Sequence, residues 1–99
     1  MTVTKTKKDN ELVVALNGRL DTTTAPELEA ELRSDIDGTA LLTFDLAELE
    51  YISSAGLRVF MWAQRIMNNQ GKMKVCNVNE TVEEIFDITG FSEILTIVK

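Results

Sequence analysis

The order of apolar periodicities in this 99-residue chain predicts an α/β fold, a mixed β-sheet of about five strands with helices packed mainly on one face. Three observations carry that prediction. Stretches with apolar residues at helical spacing alternate with short apolar runs of strand length. Each helical stretch opens on residues suited to capping and closes on a glycine. The run over residues 40–46 is nearly unbroken in apolar side chains, the pattern of a strand buried on both faces in a sheet covered by helices.

The elements run in this order. Residues 3–8 alternate weakly and suit an edge strand, where Lys5, Lys7 and Lys8 would discourage edge-to-edge aggregation. Residues 11–17 read as a second strand ended by Gly18, and the two pair as a hairpin around Asp9 and Asn10. Thr24-Ala-Pro-Glu27 fits a capping box, with a hydroxyl at the N-cap, Pro26 in the first turn and Glu27 reaching back. Ala25, Leu28, Leu32 and Ile36 then form a helical stripe that Gly38 ends. After the apolar run, Ser53 and Ser54 precede a second helix reaching about Asn69. Its stripe is Leu57, Phe60, Met61, Ala63, Ile66 and Met67, and its stop is Gly71.

Residues 72–78 form another strand. Asn79 caps a third helix, with Val82, Ile85, Phe86 and Ile88 expected inward and Gly90 as its stop. Residues 94–98 close the chain as the last strand. The order β-β-α-β-α-β-α-β implies parallel pairing of the later strands through right-handed crossovers.

Composition narrows the function. An apolar share of 44 % is enough for one core, so residues 1–99 are expected to form a single domain. The longest apolar runs are too short to span a bilayer, and residues 1–8 lack the apolar stretch of a secretory signal. A cytoplasmic protein is expected, with no membrane partner. There is no histidine, which removes the commonest general base and metal ligand. The single Cys76 can form neither an internal disulfide nor a metal site, and is expected as a small buried strand residue. A net charge of −6 argues against direct nucleic-acid binding. These features point away from an enzyme and imply no metal and no cofactor.

In open α/β sheets, ligands and partners meet the carboxyl ends of the parallel strands. Residues 18–24 and 45–58 fall there, and each segment carries an Asp and enters a helix through hydroxyl residues. Asp21 suits either a brace for the first helix or a partner contact; Asp45, at a strand end, suits a structural role. Ser54 is well placed as the N-cap of the second helix. Gly56 in that helix's first turn costs about 1 kcal/mol against alanine, which a close approach of another backbone would explain. Arg58 and Arg65 either form a contact face or are solvated, and Tyr51 and Trp62 are expected to pack.

The stretch 46–59, with its core Tyr51-Ile-Ser53-Ser54-Ala55-Gly56-Leu-Arg58, resembles the signature loop of STAS domains of the anti-sigma factor antagonist type. Gly18-Arg-Leu-Asp21 is similar to that family's landmark before its first helix, and Phe86-Asp-Ile-Thr-Gly-Phe91 to its last helix. The resemblance implies a single STAS-like domain that captures an anti-sigma factor with serine kinase activity and releases it once phosphorylated. By the same likeness Ser54 is the phosphorylated residue, Ser53 its rival, and a serine phosphatase resets the switch. Asp21, Thr22, Ser53, Ser54, Ala55, Gly56 and Arg58 are the implied partner-binding residues. Three positions depart from the family pattern: Ser53 replaces an Asp, Ala55 a second hydroxyl, and Arg58 a frequent Gly. The alternative is a soluble STAS subunit of a lipid-transport or other multiprotein complex.

Overall fold

The computed structural model describes residues 1–98; Lys99, the last residue of the expected domain, lies outside the described residues. Five strands and three helices alternate: β1 (Thr2–Lys8), β2 (Glu11–Leu20), α1 (Ala25–Arg33), β3 (Leu41–Ile52), α2 (Ser54–Gln70), β4 (Lys72–Cys76), α3 (Glu80–Thr89) and β5 (Ile97–Val98), with one 3-10 turn over Phe91–Glu93. The sheet order is β1-β2-β3-β4-β5. β1 and β2 are antiparallel, and every later pair is parallel. Each crossover therefore steps one strand in the same direction. Right-handed crossovers of that kind put all three helices on one face.

That face holds the core. Leu12, Val14 and Leu16 of β2 and Leu42, Phe44 and Leu46 of β3 are buried against Leu28 and Leu32 of α1, Phe60 and Ala63 of α2, and Phe86 of α3. An aromatic row joins β3, α2 and α3: Phe44 to Phe60 at 4.7 Å and Phe60 to Phe86 at 6.2 Å between ring centroids. Such tilted pairs contribute about 0.5–1.5 kcal/mol each beyond area burial. The apolar run at 40–46 is thus not sandwiched between helices. Its other face, Leu41, Thr43 and Asp45, has no helix over it. Thr43 is still buried, because as a central-strand residue it is shielded by Val13 and Lys74 on either side.

Several boundaries move for identifiable reasons. β3 runs on to Ile52 and β2 to Leu20, where a loop and a stop at Gly18 were expected. Two register shifts, after Ala15 and after Gly18, each insert an extra residue in β3. Bulges of this kind break the period of two, so the buried residues of that stretch, Leu46, Leu49 and Ile52, recur every third position and do not look like a strand. α1 ends at Arg33, and Ile36 is buried from the next loop instead. That loop is pinned by the Gln70 side chain, whose Nε2 donates to Ile36 O (2.6 Å) and Thr39 O (2.8 Å). β4 stops at Cys76 because Asn77 turns to a left-handed φ of 57°. The final strand shrinks to Ile97–Val98.

Lys5 is not a free edge charge. Its Nζ lies 2.6 Å from Asp35 and 2.8 Å from Glu31, tying the edge strand to the α1 side of the sheet. The hydrogen bond to Asp35 raises the Lys5 pKa and lowers that of Asp35. Lys7 and Lys8 remain exposed. Trp62 packs as expected, half-buried, with the Arg33 guanidinium 5.2 Å from its ring centroid across the α1–α2 seam. Cys76 is half-buried rather than buried, and desolvation, with Asp45 nearby, pushes its thiol pKa up.

Gly71 marks the tightest backbone contact. A Cβ there would lie 2.0 Å from the Ala40 carbonyl oxygen, the same oxygen that accepts from Lys72 N at 2.8 Å. Gly71→Ala is therefore expected to destabilise by about 1–3 kcal/mol or more, lowering Tm by roughly 4–8 °C per kcal/mol. Gly38, at φ 80° with no atom near its Cβ position, is expected to lose only about 1 kcal/mol on the same change. Thermal melts that reverse this order would contradict the packing described.

Candidate functional site

The carboxyl ends of β2 and β3 lie side by side, locked by Ser53 N donating to Leu20 O at 2.8 Å. The two strands pass into their helices by different turns. After Leu20, Asp21 Oδ1 accepts from Thr23 N and Thr24 N, both at 3.0 Å, and Ala25 N donates to Asp21 O at 2.8 Å. The Thr24 hydroxyl turns back to donate to Arg19 O (2.8 Å) and lies 2.9 Å from Asp21 N as acceptor. The expected capping box at Thr24 is therefore absent. Thr24 sits in helical φ/ψ with no side-chain cap bond, and Asp21 braces the entry in its place, one turn earlier.

After Ile52 the chain extends through Ser53 (φ −96°, ψ 175°), whose side chain accepts from Gly56 N at 3.4 Å. Ser53 is thus the N-cap of α2, and the expectation of Ser54 in that role is corrected. An N-cap needs an extended backbone so that its oxygen can fold over the first turn, and Ser53 is the residue with that conformation. Ser54 becomes the first helical residue, exposed. Leu57 N is taken by Ser53 O. The amides of Ser54 and Ala55 have no protein acceptor among the described residues, as is usual for first-turn donors.

Gly56 is buried, not a surface contact. A Cβ on it would fall 2.6 Å from Leu20 Cγ and 2.9 Å from Ile52 Cγ1. The close approach is thus to two side chains from the strand ends rather than to another backbone. It seats the start of α2 directly on them.

Two shallow grooves flank this helix start. One, about 210 Å³, lies between α1 and α2 and includes Thr22, Glu29, Ala55 and Arg58. The other, about 340 Å³ and almost wholly apolar, is walled by Ser54, Leu57, Arg58, Met61, Thr89 and Phe91. Arg58 is exposed and forms the ridge between them. Of the residues expected to contact a partner, Thr22, Ser54, Ala55 and Arg58 share this surface. Ser53 is half-buried as a cap, and Asp21 Oδ1 is committed to its turn. Arg19 stacks 4.5 Å from the Tyr51 ring centroid beside them, and Arg65 is exposed further along α2. Asp45 is structural: its Oδ1 accepts from Ala47 N and Asn77 Nδ2, both at 3.0 Å.

The groove walls at Thr89 and Phe91 were not found by sequence reasoning. Ile88, expected inward, is 77 % exposed. Its position gave the signal: six residues after Val82 it lies roughly 240° around the helix, off the stripe that Val82 and Phe86 define. Asn79 caps α3 as expected, accepting from Val82 N at 2.9 Å and donating to Leu49 O at 2.6 Å.

A STAS domain family model matches residues 2–99, and the chain belongs to that family. BtrV of Bordetella bronchiseptica, provisionally assigned as an anti-sigma factor antagonist, is 38 % identical over 98 % of this chain and 85 % of its own. The anti-sigma-B factor antagonist of Bacillus subtilis is 32 % identical over 92 % of this chain and 84 % of its own. The fold is that of the anti-sigma factor antagonist SpoIIAA. Its unphosphorylated form has a TM-score of 0.85 at 17 % identity (99 % of this chain, 89 % of that one). The phosphorylated form from Bacillus has a TM-score of 0.76 at 16 % identity (99 % and 92 %). No described helix is long and apolar enough to cross a membrane.

The two serines should separate by stability. Ser53→Ala removes the cap and is expected to cost about 0.5–1 kcal/mol, the low end for a long cap bond; Ser54→Ala should stay within about 0.5 kcal/mol of wild type. Equal losses in denaturant titrations would contradict the cap assignment.

Acid dependence tests the Asp21 turn. The Thr24 amide, then the Thr23 amide, the Thr24 hydroxyl and Arg19, together outweigh desolvation and lower the Asp21 pKa. A depressed folded pKa contributes stability above the unfolded value, and that contribution is lost as pH falls through the folded pKa, below about pH 4. Asp21→Asn keeps an acceptor oxygen without the charge, so its stability-pH curve should be flatter than wild type in that window. Asp35, lowered by Lys5, leaves a residual slope in both proteins. Parallel acid limbs would contradict the assignment.

Proposed function

We propose that this chain is a cytoplasmic anti-sigma factor antagonist whose unmodified α2 start docks on an anti-sigma factor with serine kinase activity. Phosphorylation of Ser54 ends that contact, and a serine phosphatase restores it. The observation that carries this reading is the division of labour between adjacent serines. Ser53 caps the helix, which leaves the Ser54 hydroxyl exposed on the rim of an apolar groove with no structural duty. The names of the two relatives, BtrV and the anti-sigma-B factor antagonist, support the role.

The chemistry is one of binding. Residues 1–99 act as one module and contribute a nucleophilic hydroxyl, while ATP and the base belong to the kinase. Phosphoryl transfer forms a bond from Ser54 Oγ to the γ-phosphorus, breaks the bond to ADP, and passes the hydroxyl proton to the kinase. Leu57, Met61 and Phe91 offer the partner an apolar contact. Thr22, Ala55 and Arg58 extend the contact into the second groove, with Asp21 and Ser53 holding the two helix starts in place and Gly56 seating the second. A phosphate adds a charge of about −1.5 to −2 at neutral pH. At the first turn of α2 the open amides of Ser54 and Ala55 and the helix dipole tolerate it. A docked partner would strip its water, and an unpaired buried charge costs several kcal/mol.

Intact-mass and fragment mapping of the protein, incubated with its anti-sigma partner, ATP and magnesium, tests the site. A single phosphate on Ser54, lost in Ser54→Ala and kept in Ser53→Ala, is the expected result. Undiminished labelling of Ser54→Ala would overturn it, and transfer of the label to Ser53 would move the switch to the cap.

A further inference from the structure

Among the described residues, Arg58 is the one charged side chain in the walls of the apolar groove that Ser54 borders. The ion pairs of those residues are made by Lys5 and Arg33, and the guanidinium–ring contacts by Arg19 and Arg33. Glu29 shares the neighbouring groove with Arg58, but its Oε2 is held by the Arg33 guanidinium at 3.1 Å. Arg58 is therefore an exposed cation with no ion pair or ring contact among the described residues. Its charge does nothing for the fold.

Its place on α2 is specific. Ser54 and Arg58 stand at helical positions i and i+4, neighbours on one face of the helix. The Cα–Cβ bond of a helical residue tilts toward the N-terminus, which directs the Arg58 side chain back toward the turn of Ser54. Both residues line one groove, as that spacing requires. An anion placed N-terminal to a cation at this spacing is the favourable order. Arg65, the next cation of α2, lies roughly 16 Å further from Ser54 along the helix axis than Ser54's own turn, beyond the reach of its side chain.

We infer, on the basis of the Ser54 switch proposed above, that Arg58 is the phosphate-binding residue of the modified state, its guanidinium closing onto the phosphate of Ser54 within the same helix. A guanidinium presents its donors as a planar fork that suits two phosphate oxygens at once. In the unmodified chain Arg58 projects from the ridge between the two grooves, where a partner meets it. Once Ser54 carries a phosphate, Arg58 folds back onto it. One modification thus adds an anion to the surface and withdraws a cation from it. The phosphate brings a charge of about −1.5 to −2, more than one guanidinium cancels, so the pair steadies the modified helix without restoring the unmodified surface. The amides of Ser54 and Ala55 are the rival means of holding the phosphate, and they do not depend on residue 58.

The test uses protein with phosphoserine installed at position 54 by genetic encoding, which bypasses the kinase. Phosphorus NMR titration reads the second phosphate pKa, ordinarily about 6. It should lie roughly 0.3–0.5 lower with Arg58 than in Arg58→Gln, with Arg58→Lys between them. The difference should shrink in about 0.5 M salt. Glu29 of α1 and Asp21 of its entry turn are the acids beside the two grooves, and they are common to all three proteins. The Arg58 Nε–H resonance should move on modification, while that of Arg65 stays. The phosphate should also lower Tm by roughly 2–4 °C more in Arg58→Gln than in wild type. Equal phosphate pKa values and equal Tm changes in the two proteins would overturn the inference, leaving the first-turn amides as the phosphate's hold and the Ser54 switch intact. Mass mapping that finds the kinase's phosphate elsewhere than Ser54 would overturn it differently, by removing the switch on which the pair rests.

Discussion

Everything at the carboxyl end of the sheet depends on how closely the first turn of α2 approaches Leu20 and Ile52. Only a residue without a Cβ fits at position 56, since an added carbon would sit within 3 Å of both side chains. With Gly56 in place, the helix start rests on two strand ends, and Ser53 can satisfy both its own amide, through Leu20 O, and that of Gly56, through its side chain. The glycine's intrinsic cost in a helix, about 1 kcal/mol, is offset by the apolar burial that this approach allows. One residue later, Ser54 is left at a fixed height above the sheet with its hydroxyl outside the packing.

That arrangement gives two consecutive serines different structural duties. Ser53 is tied to the scaffold and Ser54 is not, so a covalent change at Ser54 alters the charge of the surface without removing a bond that holds it together. Asp21 plays the matching role on the other strand. Its carboxylate organises the turn into α1 and keeps Thr22 beside Ala55 and Arg58. Arg58 is an exposed cation on the ridge between the two grooves, with Glu29 in the groove beside it, in a chain of net charge −6. Long-range attraction of an acidic chain to a partner is strongest where such a ridge meets complementary charge.

Much of this was legible in the sequence. The number and order of elements, the stop at Gly90, the cap at Asn79 and the hairpin at Asp9 are local, and local rules found them. So was the meeting of residues 18–24 with residues 45–58, since the topology of parallel strands fixes which loops share an end. The features that escaped the sequence were set by tertiary contact. The bulges in β3 exist because β2 and β3 pair over their whole length, and they give Leu46, Leu49 and Ile52 a spacing that no strand template contains. The choice between Ser53 and Ser54 as cap depended on a difference of one residue in where β3 ends, which propensity does not resolve. Thr24 looked like a cap from its spacing to Glu27, but Asp21 binds the same turn with two amides and wins. Ile88 was misplaced inward because its apolar character was weighed ahead of its angle.

The central claim is that the surface around Ser54 is switched by local charge on an unchanged fold. The most direct test is a matched pair of thermal melts and calorimetric titrations against the anti-sigma partner, using unmodified protein and protein carrying phosphoserine at position 54. Melting temperatures within a few degrees of each other are predicted, because the first turn of α2 accommodates the phosphate, together with a loss of affinity on the order of a thousandfold, about 4 kcal/mol. A phosphoprotein that binds its partner as tightly as the unmodified one, or that melts many degrees lower, would contradict the claim.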